Sequence, residues 1–436
     1  KTFTPDQQGD ASGGAVNVVL KGIPDERIFK IKGGSSYNTQ TTGRDDFLTH
    51  KSGGVDFWAK NENKGLPPNF DDVNPGVVGV SRGTAPANYD VSVTAGGKRD
   101  LDYDIKIGGF ASLYYKRYSS YYNNGIDNSL WVTGPGGSMS PLTSGTVSPA
   151  TSGSVVSGNF TTELFDVTEG TEEVNVGGLG VIGAETENHS VSWTVMRTRS
   201  AEDMATLGED TRGKRFFYPG YDRGDPNDDG NLNLDAEPYL RVETLKYVER
   251  ATDTRQLKGR HKLAIPEISF GSFLSILPPE IDWTFARSIS ELNEPDKRQF
   301  GSEWQAIFSG SQAPGQHFPY KPAANFYMGN FQETWQEISE KSDQYFVNWK
   351  FPYRQWSDDE GYVKLGMFHD LVKRSFGQET FANFSEFFTS FTGGWEEFWS
   401  AQWPDEDHPV SDGDLTSALD VDYEGKQEIT ANYIMA

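Results

Sequence analysis

The chain has 436 residues, a formal net charge of −24, no cysteine, 47 glycines and 13% aromatic residues. The acidic balance argues against nucleic acid as a partner, because phosphate binding needs a basic face; the absence of thiols excludes disulfide scaffolding and thiolate metal sites. A mean hydropathy of −0.61, with no run approaching the roughly 18 apolar residues of a spanning helix, argues against helical membrane spans. At 35% hydrophobic residues the chain is too apolar for a disordered protein. Membrane-crossing strands need only about ten residues of alternating apolarity, so a β-barrel stays open.

In chain order, the first element is the short run SGGAVNVVLKGIP, Ser12 to Pro24. Gly13 and Gly14 permit close backbone approach. Pro24 stops pairing because it has no N–H to donate. Period-two alternation then dominates. Phe29 and Ile31 alternate with Lys30 and Lys32, and Tyr89, Val91 and Val93 with Asp90, Ser92 and Thr94. In YDIKIGGFASLYY, Tyr103, Ile105, Ile107, Gly109, Ala111, Leu113 and Tyr115 share one face. The same pattern places Val191, Trp193 and Val195 together, then Ile281, Trp283 and Phe285, then Tyr345, Val347, Trp349 and Phe351, then Val363, Leu365 and Met367.

These runs predict an all-β fold of about ten strands, at residues 26–39, 87–97, 103–120, 172–185, 189–200, 239–263, 281–295, 331–352, 361–376 and 424–436. The connections alternate in length. Short ones fall at 98–102, 186–188, 264–280 and 353–360; long ones at 40–86, 121–171, 201–238, 296–330 and 377–423. In an up-and-down meander, alternate connections lie at opposite ends of the sheet. Long loops without secondary structure are unusual in compact domains. They are normal on the outer side of a transmembrane barrel, whose other side carries short turns. The pattern therefore predicts an antiparallel transmembrane β-barrel. A soluble β-sandwich would instead have similar loops at both ends.

Three stretches in the long loops are candidate sites. The first groups Arg212, Lys214, Arg215, Phe216, Phe217, Tyr218 and Tyr221. It reads as a holder for an anionic ligand or as an ion-paired loop base. In the second, Asp225, Asn227, Asp229, Gly230, Asn231 and Asn233 follow the alternate-oxygen spacing of a calcium loop. Position 12 is Ala236, flanked by Asp235 and Glu237, and no helix frames the loop. Ca2+ and a hydrated acidic turn both fit. In the third, Phe384, Phe387, Phe388, Phe391, Trp395, Phe398, Trp399 and Trp403 recur at three and four residues, a helical spacing. That stripe can bury itself against neighbouring loops, stack on a ligand such as a sugar face, or lie on a membrane surface; the acidic Asp405–Asp407 flank disfavours the last.

Catalytic readings find no support. The six histidines show no paired zinc spacing. Neither a nucleophile elbow nor a phosphate loop is present. No cofactor is required.

The stretch FTPDQQGDASGGAVNVVLKGIPDE, residues 3–26, resembles the end of the plug domain of TonB-dependent outer-membrane receptors. In that family a glycine pair, an alternating apolar stretch around an asparagine, a lysine and a proline close the plug. The first barrel strand follows directly. Gly13, Gly14, Val16, Asn17, Val18, Lys21 and Pro24 fit; Leu20 stands where the family usually has threonine. The resemblance implies that residues 1–25 end a plug domain and that 26–436 are the N-terminal half of a receptor barrel, a fragment of a longer protein. It implies import of a scarce nutrient (siderophore, vitamin or oligosaccharide) across the bacterial outer membrane. The outer loops and plug bind ligand, the TonB–ExbB–ExbD complex energises the plug, and no bond is made or broken. On that expectation ligand contacts fall on Trp395, Phe398, Trp399, Trp403, Arg212, Arg215, Tyr218 and Tyr221. A passive outer-membrane porin and a soluble β-rich binding or adhesion protein remain the alternatives.

Overall fold

The computed structural model describes residues 23–50, 53–60, 79–101, 104–127, 165–210, 239–305, 331–357, 359–383 and 417–436, with short pieces at 130–131, 140–141, 143–144, 160–161, 316–319 and 389–390. Ten long strands form one antiparallel meander: β1 Ile28–Ser36, β2 Asn88–Asp100, β3 Lys106–Asp127, β4 Phe165–Glu185, β5 His189–Asp210, β6 Tyr239–Lys262, β7 Glu280–Gln305, β8 Phe331–Gln355, β9 Glu360–Asn383 and β10 Ser417–Met435. Each pairs with its neighbours in sequence order, from β1 on β2 to β9 on β10. The predicted all-β class and strand order are present.

The strands outrun their expected lengths chiefly at the long-connection end; at the short-turn end β2 and β8 each run three residues further than expected, to Asp100 and Gln355. β3 continues to Asp127 rather than 120, β4 begins at Phe165 rather than 172, and β5 reaches Asp210 rather than 200. β7, β9 and β10 extend in the same direction, to Gln305, to Asn383 and back to Ser417. In these extensions both faces carry polar residues, for example Asp166, Thr168 and Glu169, so hydropathy does not alternate. The backbone ladder continues regardless, because its hydrogen bonds do not depend on side-chain polarity.

The strand ends joined by 101–105, 186–188, 263–279 and 356–359 lie at one end of the sheet; those joined by 37–87, 128–164, 211–238, 306–330 and 384–416 lie at the other. The predicted asymmetry holds. Connection 263–279 includes a small hairpin, 268–270 with 274–276, whose second arm pairs with the end of β8. Gly271 at its tip has φ +62°, a conformation that favours glycine.

Register puts the alternating apolar residues on one face. Across β4 to β8, Ile182 lies beside Trp193, Trp193 beside Leu257, Leu257 beside Phe285 and Phe285 beside Tyr345. The band they form crosses the sheet obliquely. Tyr115, at its upper limit on β3, shares a ladder rung with Val176, Arg199, Ala251, Glu291, Ser339, Ser375 and Glu424. On β10 the large apolar residue of the same face is Ile434. The drift is roughly ten residues, about 34 Å, over seven strand steps of about 4.8 Å each, a slope of roughly 45°. Strands tilted by about 35–45° to a horizontal band give such a drift.

The buried core lies on the apolar face, at the long-connection end. There the segment between β1 and β2 folds back over β3 to β6. One cluster joins Phe47, Leu48 and Ala85 of this strap to Tyr121, Ala205, Leu207 and Leu245; a second joins Val55 and Ala59 to Tyr115, Val174, Ala201 and Tyr247.

Candidate functional site

The two faces of the sheet differ chemically. On one, short polar side chains bond across strands. Thr94 and Ser112 lie 2.9 Å apart, and Thr254 and Ser288 3.0 Å. Asp370 accepts from Ser342 at 2.9 Å and from Gln344 at 3.1 Å. Asn348 donates to Asp282 at 2.6 Å and accepts from the Tyr433 hydroxyl. Lys98 bridges Asp25 and Glu185, each at 2.8 Å. Such a face needs no apolar cover, because its donors and acceptors satisfy one another and water.

The other face exposes its large apolar groups. Leu113 is 63% accessible, Trp193 47% and Ile434 68%. Phe29, Ile31, Val91, Val93, Ile182, Leu257, Phe285, Tyr345, Trp349, Leu365 and Met367 join them. Aromatic groups mark both limits of the band. Toward the short turns, the Trp283 indole N–H donates to His261 at 3.0 Å, and Phe273 stacks on Trp356 at 5.0 Å. Toward the long connections, Tyr115 stacks on Phe57 at 4.4 Å and on Tyr89 at 5.6 Å. Exposed apolar patches on soluble monomers rarely exceed a few hundred Å². This band, from β1 to β10, is on the order of 1,000 Å², since each aromatic group alone offers about 150–250 Å².

Beyond the band, the strap is clamped by buried carboxylates. His50 Nε2 lies 3.0 Å from Asp203 Oδ1, and both side chains are almost wholly buried. Asp203 also accepts from the Gly54 amide. Glu172 accepts from the Val55 amide at 3.3 Å and from Arg117. Burial pushes the Glu172 carboxyl above its ordinary range, against the opposing pull of Arg117. At the strap surface Arg44 and Asp46 pair at 2.5 Å, and Arg44 holds the Asp46 carboxyl below the usual range. Gly170 is required by close approach: an added Cβ would overlap the Leu48 carbonyl oxygen.

Of the sequence-predicted site residues, Pro24 falls among those described, just before β1. Gly13, Gly14, Asn17 and Lys21 lie outside the described residues, as do Arg212, Arg215, Tyr218 and Tyr221. So do Asp225, Asn227, Asp229, Asn231, Asn233 and Asp235, and Trp395, Phe398, Trp399 and Trp403. Among the described residues no group of three or more His, Asp or Glu side chains is placed to hold a metal ion, and no helix is long and apolar enough to cross a membrane. Sequence reading missed the strap and its clamp. Two signals were present: the Gly53–Gly54 pair beside His50, and Asp203 set between Ala201, Ala205 and Leu207 on one face of β5. Comparison of the chain with protein-family models, with curated proteins and with solved structures finds no match.

Proposed function

We propose that this chain forms part of the wall of a bacterial outer-membrane β-barrel and serves TonB-dependent import of a scarce nutrient. The observation that carries the barrel reading is the oblique apolar band, exposed across the ten-strand sheet and backed by a hydrogen-bonded polar face. Moving on the order of 1,000 Å² of apolar surface from water into lipid, at about 25 cal/mol per Å², contributes roughly 25 kcal/mol. In this reading the band faces lipid and the polar face lines the lumen. β3 to β10 run from 19 to 26 residues, whereas a bilayer needs about 9–11. Their upper halves and the long connections then stand outside the membrane. β1 and β10 each have one long-strand neighbour among the described residues, and in hydrocarbon each outer edge needs a further strand.

Import, rather than passive flow, rests on the resemblance of residues 3–26 to a plug end. The ligand would be held by the long connections and plug, with energy from the TonB–ExbB–ExbD complex and no cofactor. The test is fractionation and uptake in a Gram-negative host expressing the full reading frame. The protein should sediment with outer membranes, need detergent for release, and accumulate ligand only while the proton gradient stands. Recovery in detergent-free buffer would remove the membrane reading. Flux that survives collapse of the gradient would replace import with a passive porin.

A further inference from the structure

We infer that the lipid-facing surface between β2 and β5 holds one lipid with an anionic phosphate headgroup, its chain in an apolar groove and its phosphate on Arg197 and Arg199. The inference rests on the barrel reading above and adds a specific ligand to its outer surface.

The groove has a volume of about 460 Å³ and is lined by Ala95, Gly109, Ala111, Gly180, Ile182, Trp193 and Val195 among others. Its floor is low because β2, β3 and β4 present alanine and glycine where neighbouring rungs present Val93, Leu113 and Ile182. A Cβ built on Gly180 meets nothing within 4 Å, so the space above it is open. Ile182 and Trp193 wall it on the short-turn side. The groove offers no charged group, which suits a hydrocarbon chain.

The charge stands at the other end. Along the same face of β5, Val195 is followed by Arg197 and Arg199. They lie beside Gly178 and Val176 of β4, and the Leu113 side chain leans over Gly178. Arg197 is exposed and Arg199 half-buried. Among the described residues neither has a carboxylate or hydrogen-bond partner. The nearest acid across the ladder from Arg197 is Asp253, which is taken up by Arg255 at 3.1 Å. Elsewhere above the band, arginines are paired: Arg287 with Asp343 at 2.5 Å, and Arg117 with Glu172. In a chain of net charge −24, two unpaired guanidinium groups two residues apart on one face form a localised positive site. Along the strand Arg197 sits about 7 Å and Arg199 about 14 Å beyond Val195 of the groove, on the side where a lipid's phosphate would lie relative to its chain. Arginine forks suit phosphate oxygens.

The test uses the purified full chain, native mass spectrometry and two probes of equal chain length, phosphatidylglycerol and phosphatidylcholine. The wild type should retain phosphatidylglycerol roughly ten- to thirty-fold better, since each arginine near an anionic headgroup contributes about 1 kcal/mol. The exposed double variant Arg197→Gln/Arg199→Gln should retain both lipids equally. Gly180→Leu, which fills open space, should lower retention of both. Inorganic phosphate at millimolar concentration should displace neither. A preference below about twofold in the wild type, or a double variant that keeps it, would overturn the inference. Displacement by inorganic phosphate would also overturn it, in favour of a free-anion site. Insertion into phosphatidylcholine vesicles, measured in parallel, separates the two readings: a chain that inserts but shows no preference contradicts this site alone, and a chain that never inserts contradicts the barrel as well.

Discussion

One face of one sheet meets two environments. Toward the short turns, Leu113, Trp193, Phe285 and Trp349 stand exposed; toward the long connections, Val174, Ala201, Tyr247 and Leu245 lie buried beneath the strap. The same strands, β3 to β6, pass through both regions. Period-two apolarity therefore reports only that a face avoids water; it does not report what covers it. In the upper region the chain supplies its own cover, fastened by Asp203 and Glu172. In the lower region the proposed cover is lipid.

The comparison can be broken most forcefully in the lower region. Phe285→Arg should cost about 2–4 kcal/mol of stability in vesicles if that position sits in hydrocarbon. Thr284→Arg, one residue away on the polar face, should cost far less. Equal effects by urea titration would erase the difference between the faces.

The upper region is tested next. Gly170→Val forces a Cβ into the Leu48 carbonyl, and overpacking of this kind costs about 1–3 kcal/mol. The expected readout is tryptic cleavage at Arg44, with the β4–β5 ladder intact by hydrogen exchange. Continued protection of Arg44 would show that the strap does not depend on this approach. Asp203→Ala leaves His50 and the Gly54 amide without their acceptor. A buried group left unsatisfied costs about 1–3 kcal/mol, and the same strap should loosen. Unchanged cleavage kinetics would remove the clamp.

The smallest expected effect is with pH. The Glu172 carboxyl is raised by burial, so it binds its proton more tightly in the docked state than free. Its favourable contribution is full below the ordinary carboxylate range and is lost as pH rises through the raised value. Of the charged groups around it, Arg117 pulls its carboxyl down and Asp203 pushes it up. Strap protection should therefore improve slightly on acidification toward pH 5, and Glu172→Gln should flatten that dependence. A dependence that survives in the Gln variant belongs to another group.

Much of the sheet was legible because burial and exposure alternate along it. Ile281, Trp283 and Phe285 announce β7 without any tertiary information, and the unequal connections announce the meander. The upper strand ends were not legible. Glu202 and Asp203 or Gln299 and Ser302 sit in regular ladders, yet carry no hydropathy contrast. The strap was not legible either, because its fastening joins residues far apart in sequence: His50 to Asp203, Val55 to Glu172, Leu48 to Gly170. None of these residues alone marks its distant partner. The predicted ligand-contact and calcium positions fall outside the described residues.

The absence of cysteine makes one measurement direct. Single cysteines placed in turn from Ile281 to Ala286, in protein inserted into vesicles, are treated with a bulky water-soluble maleimide. The account predicts a strict alternation, with labelling at positions 282, 284 and 286 and protection at 281, 283 and 285. Uniform labelling along the six positions would contradict a lipid-facing band and, with it, the barrel wall.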